Sequence, residues 1–455
     1  MFSRNSWPTR RLLLVGVLLA AAVGVPSSMA ASSAASGRSA PPPAAHLWLT
    51  TADGQYKLTD MGEIPFGTGQ PTVPTVVLDP SRTFQTMDGF GGAITDSSAV
   101  VLYRMSPAAR AASMRMLFDP RTGDGLSYLR QPIGGSDMVA TAPYTYDDMP
   151  AGQTDYAQRH FSIAHDEAEI LPLLREAKRL NPRLQVVASP WSPPAWMKTG
   201  DSLIGGRLID TPQIYHSYAL YLTKFIEAYR SQGVTVNTIT VQNEPQNRTP
   251  GNYPGTEMSA AQEEKVIEAL GPMLRAAGLN TQILAYDHNW SEHPNDIAST
   301  PRDETQDTND YPQEVLSSPA ARWVAGTAYH CYYGDPSAMT TLHNEFPTKD
   351  IYFTECSGSQ SSDPANTFSD TVPVRYDPAL EARNSVMPAA SSGRPIRPSG
   401  TCRATSARFS GVSSMNAIIL LSNGPGAIAL TVMWSPASRL ARWRVSMCTA
   451  ALLAL

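Results

Sequence analysis

The 455-residue sequence predicts an α/β fold of the closed (β/α)8 barrel type. Three observations predict it. Short apolar runs alternate with amphipathic helical stretches from about Leu78 to Glu355, the pattern of strands and helices in turn. No phosphate-cradling loop opens the first unit, because Gly89-Phe90-Gly91-Gly92 lacks the spacing of a dinucleotide fingerprint. Polar and acidic residues gather just past successive strands, at Asp96, Asp137, Trp191, Asn243-Glu244, Asp287-His288, His330 and Glu355. In a barrel those ends form one rim around one pocket.

Taken in order, the first thirty residues precede the fold. Arg4, Arg10 and Arg11 lead into an apolar run from Leu12 to about Val25, and Ser28-Met29-Ala30 follows with small residues. That is the layout of a secretory leader cleaved near Ala30, and the run is shorter than the about 20 apolar residues of a span. A secreted or periplasmic protein without an integral membrane segment is expected. Residues 31–45, rich in Ser, Ala and Pro, read as a linker. The net charge of −5 offers no general attraction for nucleic acid or anionic lipid.

Seven strands are expected, at Met87–Ile94, Leu126–Ile133, Leu184–Ser189, Thr238–Gln242, Gln282–Asp287, Val324–His330 and Asp350–Thr354. Between the third and fourth, Ile214, Tyr218, Tyr221, Leu222, Phe225, Ile226 and Tyr229 recur at helical spacing. Ile170, Leu173, Leu174 and Ala177 do so one unit earlier, and Ser259 with Gln262 suggests a capping box. Cys331, Cys356, Cys402 and Cys448 fit no zinc spacing and make no disulfide scaffold. No metal or other cofactor is expected. Asn247-Arg248-Thr249 and Asn289-Trp290-Ser291 match glycosylation sequons, a short and unspecific signal.

Two glutamates carry the chemical argument. Glu244 and Glu355 each stand just past an apolar strand, where an unpaired carboxylate is expensive to bury. Either alone is an ordinary salt-bridged rim residue. Together, on the fourth and seventh strands, they are the minimal apparatus for breaking a glycosidic bond: one acid for the departing oxygen and one nucleophile for the anomeric carbon. Arg130 is placed to keep Glu355 ionised or to serve as a rim salt bridge. His330 ends the sixth strand, and Tyr332 can hydrogen-bond the nucleophile. Sugar rings stack on flat side chains, so Trp191 is assigned to the pocket and Trp196 to the core. Asp96 is either a sugar ligand or the N-cap of the helix that follows.

Five ordered motifs resemble glycoside hydrolase family 30: Phe90-Gly91-Gly92-Ala93-Ile94-Thr95-Asp96, Leu129-Arg130-Gln131-Pro132-Ile133, Ser189-Pro190-Trp191-Ser192-Pro193-Pro194-Ala195-Trp196-Met197-Lys198-Thr199, Asn243-Glu244-Pro245 and Thr354-Glu355. This resemblance implies a retaining β-glycosidase with Glu244 as acid/base and Glu355 as nucleophile. It implies that Asp96, Trp191 and Asn243 bind sugar, that Tyr332 is an active-site tyrosine, and that no metal is needed. The substrates it implies are glucosylceramide-like β-glucosides or β-1,6-glucan. A β-galactanase or xylanase of the same mechanism, or a binding relic without turnover, stands as the alternative.

The barrel is placed at 78–371, after N-terminal strands at 46–77 of a residual β-sandwich. The resemblance stops at about Thr371. Residues 372–455 carry nine arginines, no lysine and two acidic residues, a balance of +7 against −15 for residues 31–371. A reading-frame change or a divergent basic segment would produce this. The accessory sandwich is then expected to be missing or incomplete, and the product weakened. Ala427 to Trp434 reads as an eighth strand, with Trp434 as a stacking residue.

Overall fold

The computed structural model describes residues 44–49, 59–65, 88–140, 142–299 and 310–356. The leader, the tail, the eighth strand at 427–434 and Trp434 lie outside the described residues. The end of the expected linker is already structured. Strand β1 (Ala44–Leu49) pairs antiparallel with β2 (Thr59–Pro65), forming a two-stranded sheet of their own among the described residues.

The principal sheet takes its strands from seven successive stretches of chain. The first are β3 (Gly91–Ala93), β4 (Tyr128–Ile133) and β5 (Gln185–Pro190). Helices α1 (Asp96–Arg104) and α2 (Pro107–Phe118) join β3 to β4, and α3 (Ala164–Glu167) and α4 (Ile170–Leu180) join β4 to β5. A short strand β6 (Ile204–Arg207) and the long α5 (Pro212–Ser231) lead to β7 (Thr238–Thr240). Then β8 (Gly255–Glu257), which pairs with β6, and α6 (Ala260–Ala276) precede β9 (Gln282–Asn289). Helices α7 (Pro294–Ala298) and α8 (Tyr311–Ser317) come before β10 (Val324–His330), and α9 (Ser337–Glu345) before β11 (Asp350–Glu355).

The order is β11-β10-β9-β7-β5-β4-β3, every neighbour parallel. All seven expected strands are present, most within two residues of the expected ends. The sheet curls so far that Tyr352 on β11 donates a hydrogen bond to Asp88, just before β3, at 3.4 Å. Strands β4 and β5 are buried almost throughout, as parallel strands covered on both faces must be.

Helix α5 shows why the helices pack where they do. All seven residues singled out by its spacing are buried. Each such side chain contributes about 1.5–3 kcal/mol of burial. Thr211 caps it by accepting from the Ile214 amide, and Pro212 sits in its first turn. Helix α6 corrects one expectation. Ser259 does cap its start, but the Gln262 side chain donates to Leu208 O instead of turning back. The capping box is therefore only half formed.

Inside the curl, side chains stack in layers. Tyr128, Val187, Leu284, Ala328 and Tyr352 form an apolar cluster of their own. Two residues further along most of these strands lie Arg130, Ser189, His330 and Thr354, and the layer above is polar. Strand β9 breaks the alternation. Tyr286 and Asp287 have φ of +77° and +57°, and the register with β10 slips between Ala328 and Tyr329. This irregularity sends Tyr286 into the outer core and turns Asp287 into the polar layer, the re-aiming that bulges perform.

Candidate active site

The polar layer is organised around Asp287, which is fully buried. Its Oδ2 accepts from Ser189 Oγ (2.6 Å), Thr240 Oγ1 (2.8 Å) and Arg130 Nη2 (2.8 Å). Its Oδ1 accepts from Thr354 Oγ1 (2.6 Å) and pairs with His330 Nε2 (3.0 Å). Burial pushes this carboxyl up, but Arg130 and His330, with Ser189, overwhelm that and hold it well below the usual range.

Arg130 extends the network to both predicted site strands. Its Nη1 donates to Glu355 Oε2 at 2.5 Å and its Nη2 to Asn243 Oδ1 at 2.7 Å. Its guanidinium lies over the Trp191 ring, 4.7 Å from the centroid. Tyr332 Oη donates to the other oxygen of Glu355 at 3.0 Å. Glu355 thus has a cation on one oxygen and a phenol on the other.

Glu244 takes a different position. Its φ is +47°, a left-handed conformation costly for a residue with a side chain. Its amide donates to Asp287 O at 3.0 Å, which holds the turn. Oε2 accepts from Asn247 Nδ2 at 3.0 Å, and Oε1 faces His330 Nδ1 at 3.1 Å and His288 Nδ1 at 3.9 Å. Burial pushes the carboxyl up, but the hydrogen bond and charge of His330, with the Asn247 hydrogen bond, outweigh it and leave it low. Behind it, Arg248 pairs with Glu257 (2.5 Å) and Glu292 (2.7 Å) and anchors the loop.

Glu244, Glu355, Asn243, Arg130, His330, Tyr332 and Trp191 are therefore joined by one set of contacts. Trp191 is nearly buried, and its loop is fixed by Lys198, whose Nζ donates to Ser192 Oγ, Leu203 O and Gly255 O. Trp196 lies in the core, its Nε1 donating to Asp147. Asp96 does not cap α1. Thr95 does, while Asp96 accepts from the Ala140 amide at 2.7 Å and pairs with His165 Nε2 at 2.9 Å. Neither sequon asparagine is a free surface group: Asn247 donates to Glu244 and Tyr253, and Asn289 accepts from the Tyr332 amide.

Sequence reasoning left three participants out of the site. Asp287 and Asp137 were visible only as rim residues, and Asn247 only as a sequon. Asp137 is exposed at the rim, yet desolvation in the cleft and the charges of Glu355 and Glu244 push its carboxyl up, so it stands in the field of both. Glu244, His288 and His330 bring ligand-type atoms within 4.8 Å of one another. His330, however, already has both nitrogens engaged with carboxylates, Nδ1 with Glu244 and Nε2 with Asp287.

Cysteine spacing alone assigns Cys331 no partner. It forms a disulfide with Cys356, across Cα atoms 5.3 Å apart. The bond ties the ends of β10 and β11 together beside His330, Tyr332 and Glu355. Closing a loop of this size is worth about 3 kcal/mol in the chain-entropy account. The double variant Cys331→Ala/Cys356→Ala is expected to unfold at distinctly lower urea. An unchanged midpoint would show that the staple adds nothing.

Residues 87–371 match the glycosyl hydrolase family 30 TIM-barrel domain. The chain is 36% identical over 319 residues to an endo-1,6-β-D-glucanase of Neurospora crassa, covering 68% of this chain and 62% of that one. It is 34% identical to an endo-1,6-β-D-glucanase of Trichoderma harzianum, with 69% and 63% covered. To the lysosomal acid glucosylceramidase of Mus musculus it is 29% identical, with 63% and 54% covered. Among solved structures, the endo-β1,6-glucanase BT3312 superposes with a TM-score of 0.60 at 33% identity, covering 68% of this chain and 65% of that one. The chain thus spans less than two thirds of the length of these relatives.

Proposed function

The chain belongs to glycosyl hydrolase family 30, and from that membership and the geometry above we propose that it is a retaining β-glycosidase acting on β-linked glucose. In the first step the Glu355 carboxylate attacks the anomeric carbon while Glu244 gives a proton to the departing oxygen. In the second, Glu244 takes a proton from water and the hydroxide releases the sugar from Glu355. The observation that carries this reading is the division of environments: Glu355 held between Arg130 and Tyr332, Glu244 facing an imidazole. Asn243, Trp191, Asp96 and Asp137 are the sugar ligands.

The favoured substrate is a β-1,6-glucan, which the names of the relatives at 36% and 34% identity support. A glucosylceramide-like glucoside is the second reading, supported by the mouse enzyme's name. Export is supported by the leader-like start of the sequence and by the Cys331–Cys356 bond, since disulfides persist in oxidising compartments. No described helix is long and apolar enough to cross a membrane.

The test offers the purified chain a β-1,6-glucan, glucosylceramide, β-galactan and β-xylan, and follows the released anomer by NMR. Glucose-containing products that appear first as the β-anomer are expected. Release of the α-anomer first would overturn the double-displacement reading, and cleavage of xylan or galactan alone would overturn the sugar. Binding of a glucose-derived inhibitor without turnover would favour a relic.

A further inference from the structure

The proposed function asks Glu244 for a proton, yet the imidazole facing it holds that carboxyl low. The proton must lie close by. His330 is fully buried and both of its nitrogens are engaged: Nδ1 with Glu244 Oε1 at 3.1 Å, and Nε2 with Asp287 Oδ1 at 3.0 Å. Asp287 is acceptor-only, because Ser189, Thr240, Thr354 and Arg130 all donate to it. It therefore fixes a hydrogen on Nε2. Nδ1 and Oε1 are left to share one further proton, in a part-buried contact.

We propose that His330 is a positioning residue that stores the proton Glu244 delivers, with Asp287 holding the imidazole in the one orientation that allows it. The inference rests on the glycosidase reading and deepens it. During glycosylation the Nδ1–H bond breaks and an Oε1–H bond forms. A turn of the carboxyl about its soft terminal torsion presents that hydrogen to the glycosidic oxygen. The oxygen leaves as the alcohol while Glu355 bonds to the anomeric carbon. During deglycosylation Glu244 takes a proton from water, hydroxide replaces the Glu355 ester, and the proton returns to Nδ1. Sugar linkage and water are consumed, two hydroxyls are made, and the protein is restored.

The surrounding charges favour storage on the ring. Burial pushes His330 down, but the Glu355 charge and the bonds to Asp287 and Glu244 lift it to about 9. Arg130 lies across Asp287, already committed to Asp287, Glu355 and Asn243. His288, edge-on to His330, is held down to about 4 by burial, with Glu244 opposing, and so adds no positive charge near neutrality. Tyr332, whose ring is also edge-on, is turned to Glu355.

Two measurements test this, and the first needs no substrate. In the full chain labelled with 15N-histidine, the resonances absent from His330→Gln identify His330. Both nitrogens are expected to carry hydrogen at pH 7, and Glu244→Gln is expected to strip Nδ1 at that pH. A wild-type His330 protonated only at Nε2 at pH 7 would overturn the proposal whether or not any glycoside is cleaved. In the second, His330→Gln is compared with wild type on phenyl and 2,4-dinitrophenyl β-glucosides. Acid catalysis is worth about 10²–10⁴-fold, so the loss in kcat/KM is expected to be at least about 30-fold larger for the poor leaving group. Equal losses on both would mean a merely structural histidine. A wild type inactive on both glucosides would count against the glycosidase reading, with the NMR result still deciding the proton.

Discussion

Glu355→Gln is expected to lower kcat on an aryl β-glucoside by a factor on the order of 10⁴–10⁶, the scale seen when an enzyme's nucleophile is removed. The amide is nearly isosteric and its oxygen still accepts from Arg130, so the loss is chemical and not a loss of fold. What disappears is the charge that, in the proposed mechanism, attacks the anomeric carbon. The network limits the collateral damage, because Arg130 keeps Asp287 at 2.8 Å and Asn243 at 2.7 Å. Affinity for a glucose-derived inhibitor should change little by comparison. Turnover within tenfold of wild type would remove Glu355 from the mechanism.

The second large effect is on stability. Asp287→Ala is expected to destabilise the fold by about 3–5 kcal/mol, as removing one partner of a buried ion pair does. The variant strands the Arg130 guanidinium with a more exposed partner in Glu355, and it leaves the donors Ser189, Thr240, Thr354 and His330 without their acceptor. Urea unfolding measures it, and a midpoint near wild type would sink the claim that this carboxylate organises the layer. The pH dependence provides a second check. Because the folded carboxyl is held below its ordinary value, its contribution is present above the ordinary carboxylate range and is lost as pH falls through the folded value. Wild type and variant should therefore converge in stability in strong acid and diverge toward neutrality.

The two predictions act on different parts of one device. In the proposed mechanism Glu355 is the reacting group, and it is partly exposed, whereas Asp287 is fully buried. Arg130 bridges them, and His330 bridges Asp287 to Glu244. Orientation of both carboxylates therefore depends on one buried side chain that has no direct part in the chemistry, an arrangement that keeps reacting groups fixed before substrate arrives.

Local order along the chain was legible from residues alone. Alternating apolar runs and helical spacings depend on neighbours within one element, so seven strands, α5, α4 and the rim positions of Glu244 and Glu355 could be read directly. The family motifs lie at those same strand ends. What only the tertiary structure decided depends on pairing between distant segments. Period-two alternation from Leu284 would turn Tyr286 inward and Asp287 outward, and a register slip against β10 reverses that. The half-formed capping box, the Thr95 cap and the Cys331–Cys356 bond likewise depend on which atoms meet in space. Sequence spacing encodes which face a side chain takes only while a strand stays regular. Where it bulges, the partner strand sets the face, and here that choice aims the carboxylate on which the site is built.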